Sequence, residues 1–286
     1  MTKVAIVTDS TANMPQDLIK DYHVTALPLQ VLWGNESYRD GIDIQTTEFY
    51  ARLKTAKEMP TTSQTTPDTF MGAYRRLLEE GYDILSIHIS SKLSGTLDSA
   101  LQARTRLDGS RIEVFDSLST GMAMGFQVLA AARLAAQGAT LAECKAVAEK
   151  ARQQTGVFFV PSTLEYLHRG GRIGGAAALL GTVLDLKPIL EVRDGRIEAC
   201  EKVRTMSKAI DRMLDLFEER LKLYHSPIHI AGQCTDMPEA AQIVVDRARQ
   251  RFGTSEVADA RVVAVSPVIG VHFGPGGLGV AFMAGI

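Results

Sequence analysis

The chain has 286 residues, and its 31 lysines and arginines against 33 aspartates and glutamates give a formal net charge of −2 at pH 7. An apolar fraction of 45% is that of an ordinary globular protein, which excludes a disordered or fibrous chain. The balanced charge gives no reason to expect nucleic acid as a partner. Three widely spaced cysteines without a CxxC pair predict neither a disulfide framework nor a zinc knuckle.

Two apolar segments bear on membranes and export. The run Val4 to Val7 is far too short for the core of a signal peptide, so no export is expected and a reducing cytoplasm fits best. The stretch from Gly121 to Ala139 carries Gln127 and Arg133 in its middle, whereas a membrane helix needs about 20 unbroken apolar residues. We therefore expect a buried helix there and no stable membrane insertion.

The first half of the chain alternates strand and helix patterns. This alternation predicts an α/β fold with a mostly parallel sheet and flanking helices. Thr66 and Pro67 have the residue types of an N-cap and a first helical position. In chain order the predicted elements are strands Val4–Val7 and Val24–Leu32, helices Thr47–Ala56 and Pro67–Glu80, strand Ile84–Ile89, helix Asp98–Leu107 and strand Ile112–Phe115.

The second half predicts another α/β unit, with a mixed sheet. Asp194-Gly195 is a two-residue turn signal for an antiparallel hairpin between strands Lys187–Val192 and Arg196–Lys202. We place a domain boundary near residue 160, giving domains 1–160 and 161–286. The other predicted elements are helices Gly121–Ala136, Leu141–Gln154, Thr205–Tyr224 and Pro238–Phe252, and strands Val157–Val160, Ile228–Gly232, Val257–Val265 and Val280–Ala284.

Two hydroxyl-rich segments are the strongest candidates for ligand binding. The segment 90–96, Ser-Ser-Lys-Leu-Ser-Gly-Thr, lies at a predicted strand-to-helix turn, which can direct hydroxyl and backbone N–H groups at an anion. Helix capping explains one or two of its four hydroxyls. The second segment, 61–66, leaves Thr62 and Ser63 unassigned after Thr66 is taken as a cap.

Several other motifs are weak, so the sequence predicts neither a cofactor nor a metal. The glycines from Gly274 to Gly279 match GxGxxG, but only seven residues follow, too few for the helix and acid of a dinucleotide site. Pro227 between His225 and His229 spoils the helical spacing of a metal pair. A lone histidine in apolar company, such as His272, is more often a core residue, although the surrounding glycines favour a functional role.

The ordered motifs of this chain resemble those of the DegV family. They are Thr8-Asp-Ser-Thr, Thr62-Ser-Gln, Ile89-Ser-Ser-Lys-Leu-Ser-Gly-Thr, Asp116-Ser, Leu164-Glu-Tyr-Leu-His-Arg-Gly-Gly-Arg-Ile, Lys187-Pro-Ile-Leu and His272-Phe-Gly-Pro-Gly. The resemblance runs from the first strand to the last. Small departures from the family pattern fall at Thr65-Thr66 and at Leu97, away from the expected ligand head group.

The resemblance implies a two-domain, non-catalytic protein that binds one long-chain fatty acid, as the FakB subunit of a fatty acid kinase does. A separate ATP-dependent kinase subunit would phosphorylate the carboxylate, and the acyl phosphate would supply phospholipid synthesis. The implied carboxylate ligands are Thr62, Ser94, the N–H of Gly95, and His272, with Ser63 and Arg172 in support. We expect a tunnel for the alkyl chain, formed mainly by the second domain and lined by Phe158, Leu164, Leu167, Ala177, Leu180, Val183, Leu184, Ile189 and Ile269.

Two rival functions remain open at this point. The first is a serine-dependent acyl hydrolase that uses Ser94 and His272 with Asp9 or Asp116, although Lys92 stands where a nucleophile elbow would have its first glycine. The second is a lipid-responsive interaction module with no kinase partner. Ester hydrolysis separates the first from a carrier, and acyl-phosphate formation with an added kinase subunit separates the second.

A basic stripe is a candidate docking surface for the kinase subunit. Arg204, Lys208 and Arg212 recur every four residues at the start of a predicted helix, with Lys202 beside them. The simpler interpretation is a solvated helix face, because isolated charge runs on helices are usually that.

Overall fold

The computed structural model describes residues 3–107, 109–181, 186–222, 226–253 and 255–286. Strands and helices alternate along most of the chain, as the sequence predicts. The strands are β1 (Val4–Asp9), β2 (Thr25–Leu27), β3 (Gln30–Trp33), β4 (Glu36–Arg39), β5 (Thr61–Ser63), β6 (Asp83–His88), β7 (Ile112–Asp116), β8 (Thr155–Val160), β9 (Lys187–Arg193), β10 (Arg196–Val203), β11 (Ile228–Cys234), β12 (Val257–Ala264) and β13 (Leu278–Ala284).

Helices pack their apolar faces against these strands. Short 3-10 turns span Ser10–Ala12, Gly109–Arg111 and Gly174–Leu179. The α-helices are α1 (Gln16–Asp21), α2 (Thr46–Leu53), α3 (Pro67–Glu79), α4 (Thr96–Arg106), α5 (Gly121–Ala136), α6 (Leu141–Gln154), α7 (Glu165–Arg169), α8 (Met206–Leu221), α9 (Pro238–Phe252) and α10 (Pro267–Phe273).

Two large sheets confirm the predicted α/β class. The first has the strand order β2-β1-β6-β7, and each of its neighbouring pairs is parallel. The second has the order β10-β9-β8-β13-β11-β12 and is mixed, because β11 pairs with β12 in parallel while its other pairs are antiparallel. Strand β8, which precedes the predicted boundary at residue 160, already belongs to the second sheet.

The helices form layers around the two sheets. Helices α5 and α6 lie between the sheets and share one apolar core with both. Helices α3 and α4 cover the outer face of the first sheet, and α8 and α9 cover the outer face of the second. The apolar segment 121–132 is therefore buried in protein, as expected. Among the described residues, no helix has both the length and the apolar character that crossing a bilayer requires.

One predicted strand is wrong, because its second half belongs to a small third sheet. The segment Val24–Leu32 is two strands, β2 in the first sheet and β3 in an antiparallel sheet of order β4-β3-β5. Pro28 falls between them, and a proline has no N–H for a continuous ladder. The sequence analysis also missed helix α10, which is only seven residues long and contains β-branched residues and Gly270.

The predicted hairpin turn is present between β9 and β10. Asp194 and Gly195 both have positive φ, 51° and 79°, as a two-residue turn of this kind requires. The tip of this hairpin contacts the first half of the chain: Ser90 Oγ donates to the Gly195 carbonyl at 2.8 Å, and Lys92 Nζ donates to the Asp194 carbonyl at 2.7 Å. The second sheet is thereby held against the turn that follows β6.

Candidate functional site

An apolar cavity lies where the two sheets, α10 and the turn after β6 meet. Its volume is about 110 Å³. The apolar part of its wall comes from Leu29, Ile89, Leu93, Val157, Phe159, Leu167, Val192, Ile197, Val265, Val268, Ile269 and Phe273. We call this space the main cavity.

One edge of the main cavity carries the polar residues that the sequence analysis selected. Thr62, Ser94, Arg172 and His272 all line it. Thr62 Oγ1 and His272 Nε2 share a hydrogen bond of 2.9 Å, although the two residues are 210 positions apart in the chain. The structure therefore brings these four predicted residues together at one place.

His272 is held as a neutral imidazole. Burial, with a smaller effect from the positive charge of Arg172, lowers the pKa of His272 to about 4. The Nδ1 atom is buried and has no hydrogen-bond partner among the described residues. The backbone of Gly170 passes so close to this atom that a Cβ at Gly170 would overlap it. The ring is thus held between Gly170 and Thr62.

Local structure explains why these side chains face the cavity. Strand β5 alternates its side chains, so Thr62 is half-buried while Thr61 and Ser63 on either side are exposed. Helix α10 presents Ile269 and His272 on one side, because residues three apart lie on the same helix face. Arg172 is fixed by donating from Nε to the Leu93 carbonyl at 3.0 Å and from Nη1 to the Gly170 carbonyl at 2.6 Å.

A buried polar network supports the turn that carries Ser94. Asp9 Oδ2 accepts from the N–H of Ile89 at 3.1 Å and pairs with His88 Nδ1 at 2.9 Å. Ser86 Oγ lies 2.6 Å from His88 Nε2 and accepts from Tyr74 at 2.7 Å. Asp9, His88 and Ser86 are fully buried, so this chain of hydrogen bonds fixes the ends of β1 and β6. The turn 90–94 begins at that fixed point.

Hydrogen bonds within the protein engage most of the hydroxyls of segment 90–96. Ser90 Oγ bonds to the Gly195 carbonyl, and Ser91 Oγ donates to Asp116 Oδ2 at 2.6 Å. Ser94 Oγ lies 2.9 Å from Thr96 Oγ1, and of these hydroxyls it is the one whose residue lines the main cavity. Structural bonds therefore account for most of this cluster.

The predicted roles of Gly95 as a carboxylate ligand and of Ser63 as a supporting residue have less support from the geometry than those of Thr62, Ser94 and His272. Gly95 does not line the main cavity, and the side chain of Gln64 lies directly against its Cα. Ser63 is exposed on the opposite side of β5 from Thr62. Of the residues predicted to bind or support a carboxylate, Thr62, Ser94, His272 and Arg172 line the main cavity.

The residues predicted to line an alkyl tunnel lie in different parts of the structure. Leu167 and Ile269 line the main cavity. Phe158 and Ile189 do not: both pack in the core on the opposite face of the second sheet. Side chains of a strand alternate between faces, and Val157 and Phe159 are the β8 residues that reach the cavity. Residues 157–160 of β8 are all apolar, so the sequence has no alternation that shows which of them face the cavity.

The remaining predicted lining residues lie elsewhere or outside the described part. Leu164 is partly buried and packs against the apolar core that the two sheets share. Ala177 is exposed and Leu180 is 40% exposed, because the 3-10 turn 174–179 directs Ala176 inward instead. Val183 and Leu184 lie outside the described residues.

Four polar residues of the cavity wall were missed by sequence reasoning. They come from different elements: Thr11 and Asn13 follow β1, Thr120 precedes α5, and Gln233 lies on β11. The Thr8-Asp-Ser-Thr motif contains Thr11, so the motif was noticed without its place in the wall. Isolated polar residues such as Thr120 and Gln233 carry no local signal, and only the tertiary fold brings them to the cavity.

The basic stripe is not the continuous helix face that the spacing suggests. Helix α8 begins at Met206, so Arg204 precedes it. Arg212 forms ion pairs with Glu201 at 2.6 Å, Glu219 at 3.1 Å and Asp215 at 3.5 Å, which neutralise its charge. Lys202, Arg204 and Lys208 are exposed. Because α8 covers the face of the second sheet opposite the main cavity, this surface is poorly placed to meet the cavity edge.

The site offers little to a metal ion. Among the described residues, no group of three or more His, Cys, Asp or Glu side chains is arranged to hold a metal. A cavity with apolar walls and a few convergent polar groups is the usual form of a small-molecule site. The fold and this site therefore define an α/β protein with a pocket suited to an amphipathic small molecule.

Comparison with known proteins places this chain in a family. A family model described as "Uncharacterised protein, DegV family" matches residues 3–285. A DegV domain-containing protein of Streptomyces coelicolor is 42% identical over 278 residues, 97% of each chain. The chain belongs to the DegV family, as the ordered motifs predicted.

Solved structures of family members superpose over nearly the whole chain. One is reported as "Fatty Acid Binding of a DegV family Protein from Thermus thermophilus"; it is 37% identical, with 99% of each chain covered and a TM-score of 0.90. Another is reported as "DegV, a fatty acid binding protein from Bacillus subtilis"; it is 32% identical, with 99% of this chain and 100% of that chain covered and a TM-score of 0.89.

Proposed function

We propose that this protein binds one long-chain fatty acid, with the alkyl chain in the main cavity and the carboxylate at Thr62, Ser94 and His272. The observation that carries this proposal is that all three side chains line one cavity whose wall is mainly apolar. The fatty acid binding reported for the Thermus thermophilus and Bacillus subtilis relatives supports it.

The alkyl chain would supply most of the affinity. Burying about 16 carbons at roughly 0.8 kcal/mol per CH₂ contributes on the order of 12 kcal/mol. The main cavity, at about 110 Å³, is smaller than a cavity of roughly 150 Å³ that holds one benzene. We therefore expect the lining side chains to move apart when a whole acyl chain enters.

The head-group residues suit a carboxylate that is to be phosphorylated. The Ser94 hydroxyl can donate to a carboxylate oxygen, and the Thr62 hydroxyl can do so when the neutral His272 donates to it from Nε2, so that the carboxylate is held without a direct ion pair. A close lysine or arginine pair would cost desolvation and would compete with the incoming phosphoryl group. Arg172, whose guanidinium is held by backbone carbonyls, contributes a positive charge nearby.

We further propose that the bound carboxylate is presented to a separate ATP-dependent kinase subunit, which forms an acyl phosphate for phospholipid synthesis. In this account the protein itself is not a catalyst and acts in the cytoplasm. The kinase would approach the cavity edge at Thr62 and His272, and the exposed residues Arg204 and Lys208 near the start of α8 would remain ordinary surface.

Among the described residues, the side chains that the hydrolase alternative would use are bonded to other partners. His272 bonds to Thr62, and its Nδ1 has no carboxylate partner among the described residues. Asp9 is engaged by His88, and Asp116 is engaged by Ser91. A serine triad needs its acid on the histidine and its histidine on the serine.

A two-part assay tests the proposal. The purified protein, loaded with palmitate, is mixed with an ATP-dependent fatty acid kinase subunit, and acyl phosphate is trapped with hydroxylamine. We expect acyl phosphate only when both proteins and ATP are present, and no release of acid from a chromogenic ester by this protein. Ester turnover that Ser94→Ala abolishes would establish the hydrolase instead, and palmitate binding without phosphorylation would favour the interaction module.

A further inference from the structure

One polar side chain of the main cavity has hydrogen-bond donors that are not used. Gln233 lies on β11, is 5% exposed and lines the main cavity. Its Oε1 atom accepts from the N–H of Met122 at 2.8 Å. No described residue accepts a hydrogen bond from its Nε2 atom. The two N–H groups of this amide are therefore available to a ligand.

The neighbours of Gln233 fix the orientation of its amide. Met122 is the second residue of α5, and its N–H has no acceptor within the helix, because the first turn of a helix leaves its N–H groups unpaired. This N–H requires an oxygen, so the amide oxygen faces α5 and the nitrogen faces away from it. Gly121 has φ 59°, and a Cβ there would overlap Oε1, so the close approach of the amide depends on this glycine.

The amide nitrogen is also open to the space of the cavity. Asn13 Nδ2 and Thr120 Oγ1, from two other residues of the wall, are unpaired within the described chain but are closed off from solvent. Gln233 Nε2 is unpaired and is not closed off in this way. A molecule in the main cavity can therefore bond to Gln233, although it cannot reach the other two atoms.

The amide faces a mainly apolar space. In the second sheet Gln233 lies opposite Gly279, and Gly279 lies opposite Phe159. All three line the main cavity, and because Gly279 has no side chain, nothing projects from β13 between Phe159 and Gln233. An N–H group that faces only an alkyl chain loses its bond to water without a replacement, which costs free energy. An acceptor on the ligand would remove this cost.

Gln233 and the carboxylate residues lie toward opposite ends of α10. The carbonyl of Cys234, next to Gln233, accepts from the N–H of Val265, two residues before α10 begins. His272 is in the last turn of that helix. A helix of seven residues is roughly 10 Å long. A fatty acid with its carboxylate near His272 would therefore pass Gln233 part-way along its alkyl chain.

Few groups on an alkyl chain can pair with an amide N–H. A hydroxyl oxygen accepts a full hydrogen bond, whereas the π electrons of a double bond give only a weak contact. A saturated chain offers no acceptor. A site that hydrogen-bonds a hydroxyl also disfavours the analogue without it, because the polar group of the site is then left unpaired.

We propose that the preferred ligand is a long-chain fatty acid with a hydroxyl group part-way along its alkyl chain, and that Gln233 Nε2 donates to the hydroxyl oxygen. This inference rests on the proposed function and adds the class of fatty acid to it. Gln233 would select among fatty acids, while Thr62 and Ser94 bind the carboxylate that all of them share.

Titration of the delipidated protein with three acids of equal length tests this inference. They are stearate, stearate hydroxylated near the middle of its chain at the tenth carbon, and α-hydroxystearate, whose hydroxyl is beside the carboxylate. The mid-chain hydroxystearate should bind about tenfold more tightly than stearate, because it alone pairs the Gln233 amide. The α-hydroxystearate should lack this gain.

The outcomes separate this inference from the proposed function. Equal affinities for stearate and the mid-chain hydroxystearate would overturn the inference and leave fatty acid binding intact. An equal gain for α-hydroxystearate would also overturn it, because the hydroxyl contact would then lie at the head group. Binding of none of the three acids would contradict the proposed function as well.

Two matched substitutions locate the contact. Gln233→Met keeps a side chain of similar length without an N–H group, so it should remove the preference and bind stearate at least as tightly as the wild type. Gln127→Met is the control, because Gln127 is also buried but donates to the Ser117 carbonyl at 3.2 Å and does not line the main cavity. It should keep the preference. A folded Gln233→Met that keeps the preference would contradict the assignment; if that variant does not fold, the three wild-type affinities decide.

Discussion

Thr62 and Ser94 are two polar residues of the mainly apolar cavity wall. Thr62 bonds to His272, and Ser94 bonds to Thr96, so each hydroxyl already has one fixed neighbour that orients it. A hydroxyl has further hydrogen-bonding capacity beyond one bond, and both residues line the main cavity. These two side chains are therefore oriented in advance of ligand binding.

Replacing either hydroxyl should impair phosphorylation more than binding. Thr62→Val and Ser94→Ala should each weaken fatty acid retention by about 1–3 kcal/mol, the cost of losing a hydrogen bond to a charged acceptor. Acyl-phosphate formation should fall further, because phosphoryl transfer requires an accurately placed carboxylate. Thr61→Val, on the exposed side of β5, is the matched control. Wild-type rates of acyl-phosphate formation in both cavity variants would show that the carboxylate lies elsewhere.

His272 should act through its hydrogen bonds, because it is neutral at the pH of the cell. His272→Ala should lower acyl-phosphate formation more than it lowers fatty acid binding. His272→Gln keeps a donor near the position of Nε2 and should recover part of the rate. Rates and fatty acid affinity measured side by side separate this role from a packing role. An equal loss of both quantities in both variants, with a large drop in melting temperature, would show that His272 is a core residue.

At the scale of elements, strand β8 separates the cavity from a core. Val157 and Phe159 face the cavity, while Phe158 stacks on Phe282 in the core beneath α8 and α9. Phe159 therefore lines the cavity and Phe158 packs in the core, because successive side chains of a strand point to opposite faces of the sheet.

The pair Phe158 and Phe159 gives a matched test of where the alkyl chain lies. Phe159→Leu should change fatty acid affinity, whereas Phe158→Leu should leave it unchanged. Both should reduce the free energy of unfolding, by less than the roughly 3–5 kcal/mol that truncation to alanine costs in a core. Denaturant unfolding and fatty acid titration of each variant provide the data. A loss of affinity confined to Phe158→Leu would place the alkyl chain on the other face of the sheet.

At the scale of the whole molecule, two buried groups give opposite pH dependences of stability. The pKa of His272 falls to about 4, so the unfolded chain binds more protons than the folded protein between about pH 4 and 6.5, and stability rises with pH there. The pKa of Asp40 rises to about 6, so the folded protein binds more protons between about pH 3.8 and 6, and stability falls with rising pH.

Replacing either Asp40 or His272 should leave the pH dependence of stability that is due to the other residue. Relative to the wild type, Asp40→Asn should gain more stability between pH 4 and 6.5, and His272→Gln should gain less, with differences on the order of 1–3 kcal/mol. The lowered pKa of His229 has the same sign as His272 and remains in both variants. Urea unfolding at a series of pH values measures these slopes. Identical pH profiles of the two variants and the wild type would contradict the assigned protonation states.

The fold class and the residues of the candidate site were predicted from different features of the sequence. Alternating apolar strands and helices sufficed for the two sheets, and the hairpin turn at Asp194-Gly195 followed from its dipeptide. Thr62, Ser94 and His272 came from a family resemblance, because no local rule joins residues 210 positions apart. The three-residue strand β5 and the seven-residue helix α10 are too short to show a clear periodicity. The face on which Phe158 lies could not be chosen in a strand that is apolar on both faces.

Native mass spectrometry of the purified protein tests the central claim most directly. The account predicts one bound fatty acid per chain, seen as an added mass that is lost under denaturing conditions, because an affinity dominated by the buried alkyl chain survives chromatography. After delipidation, incubation with palmitate should restore the same one-to-one complex. A protein that is empty in every preparation and takes up no fatty acid on incubation would contradict the account.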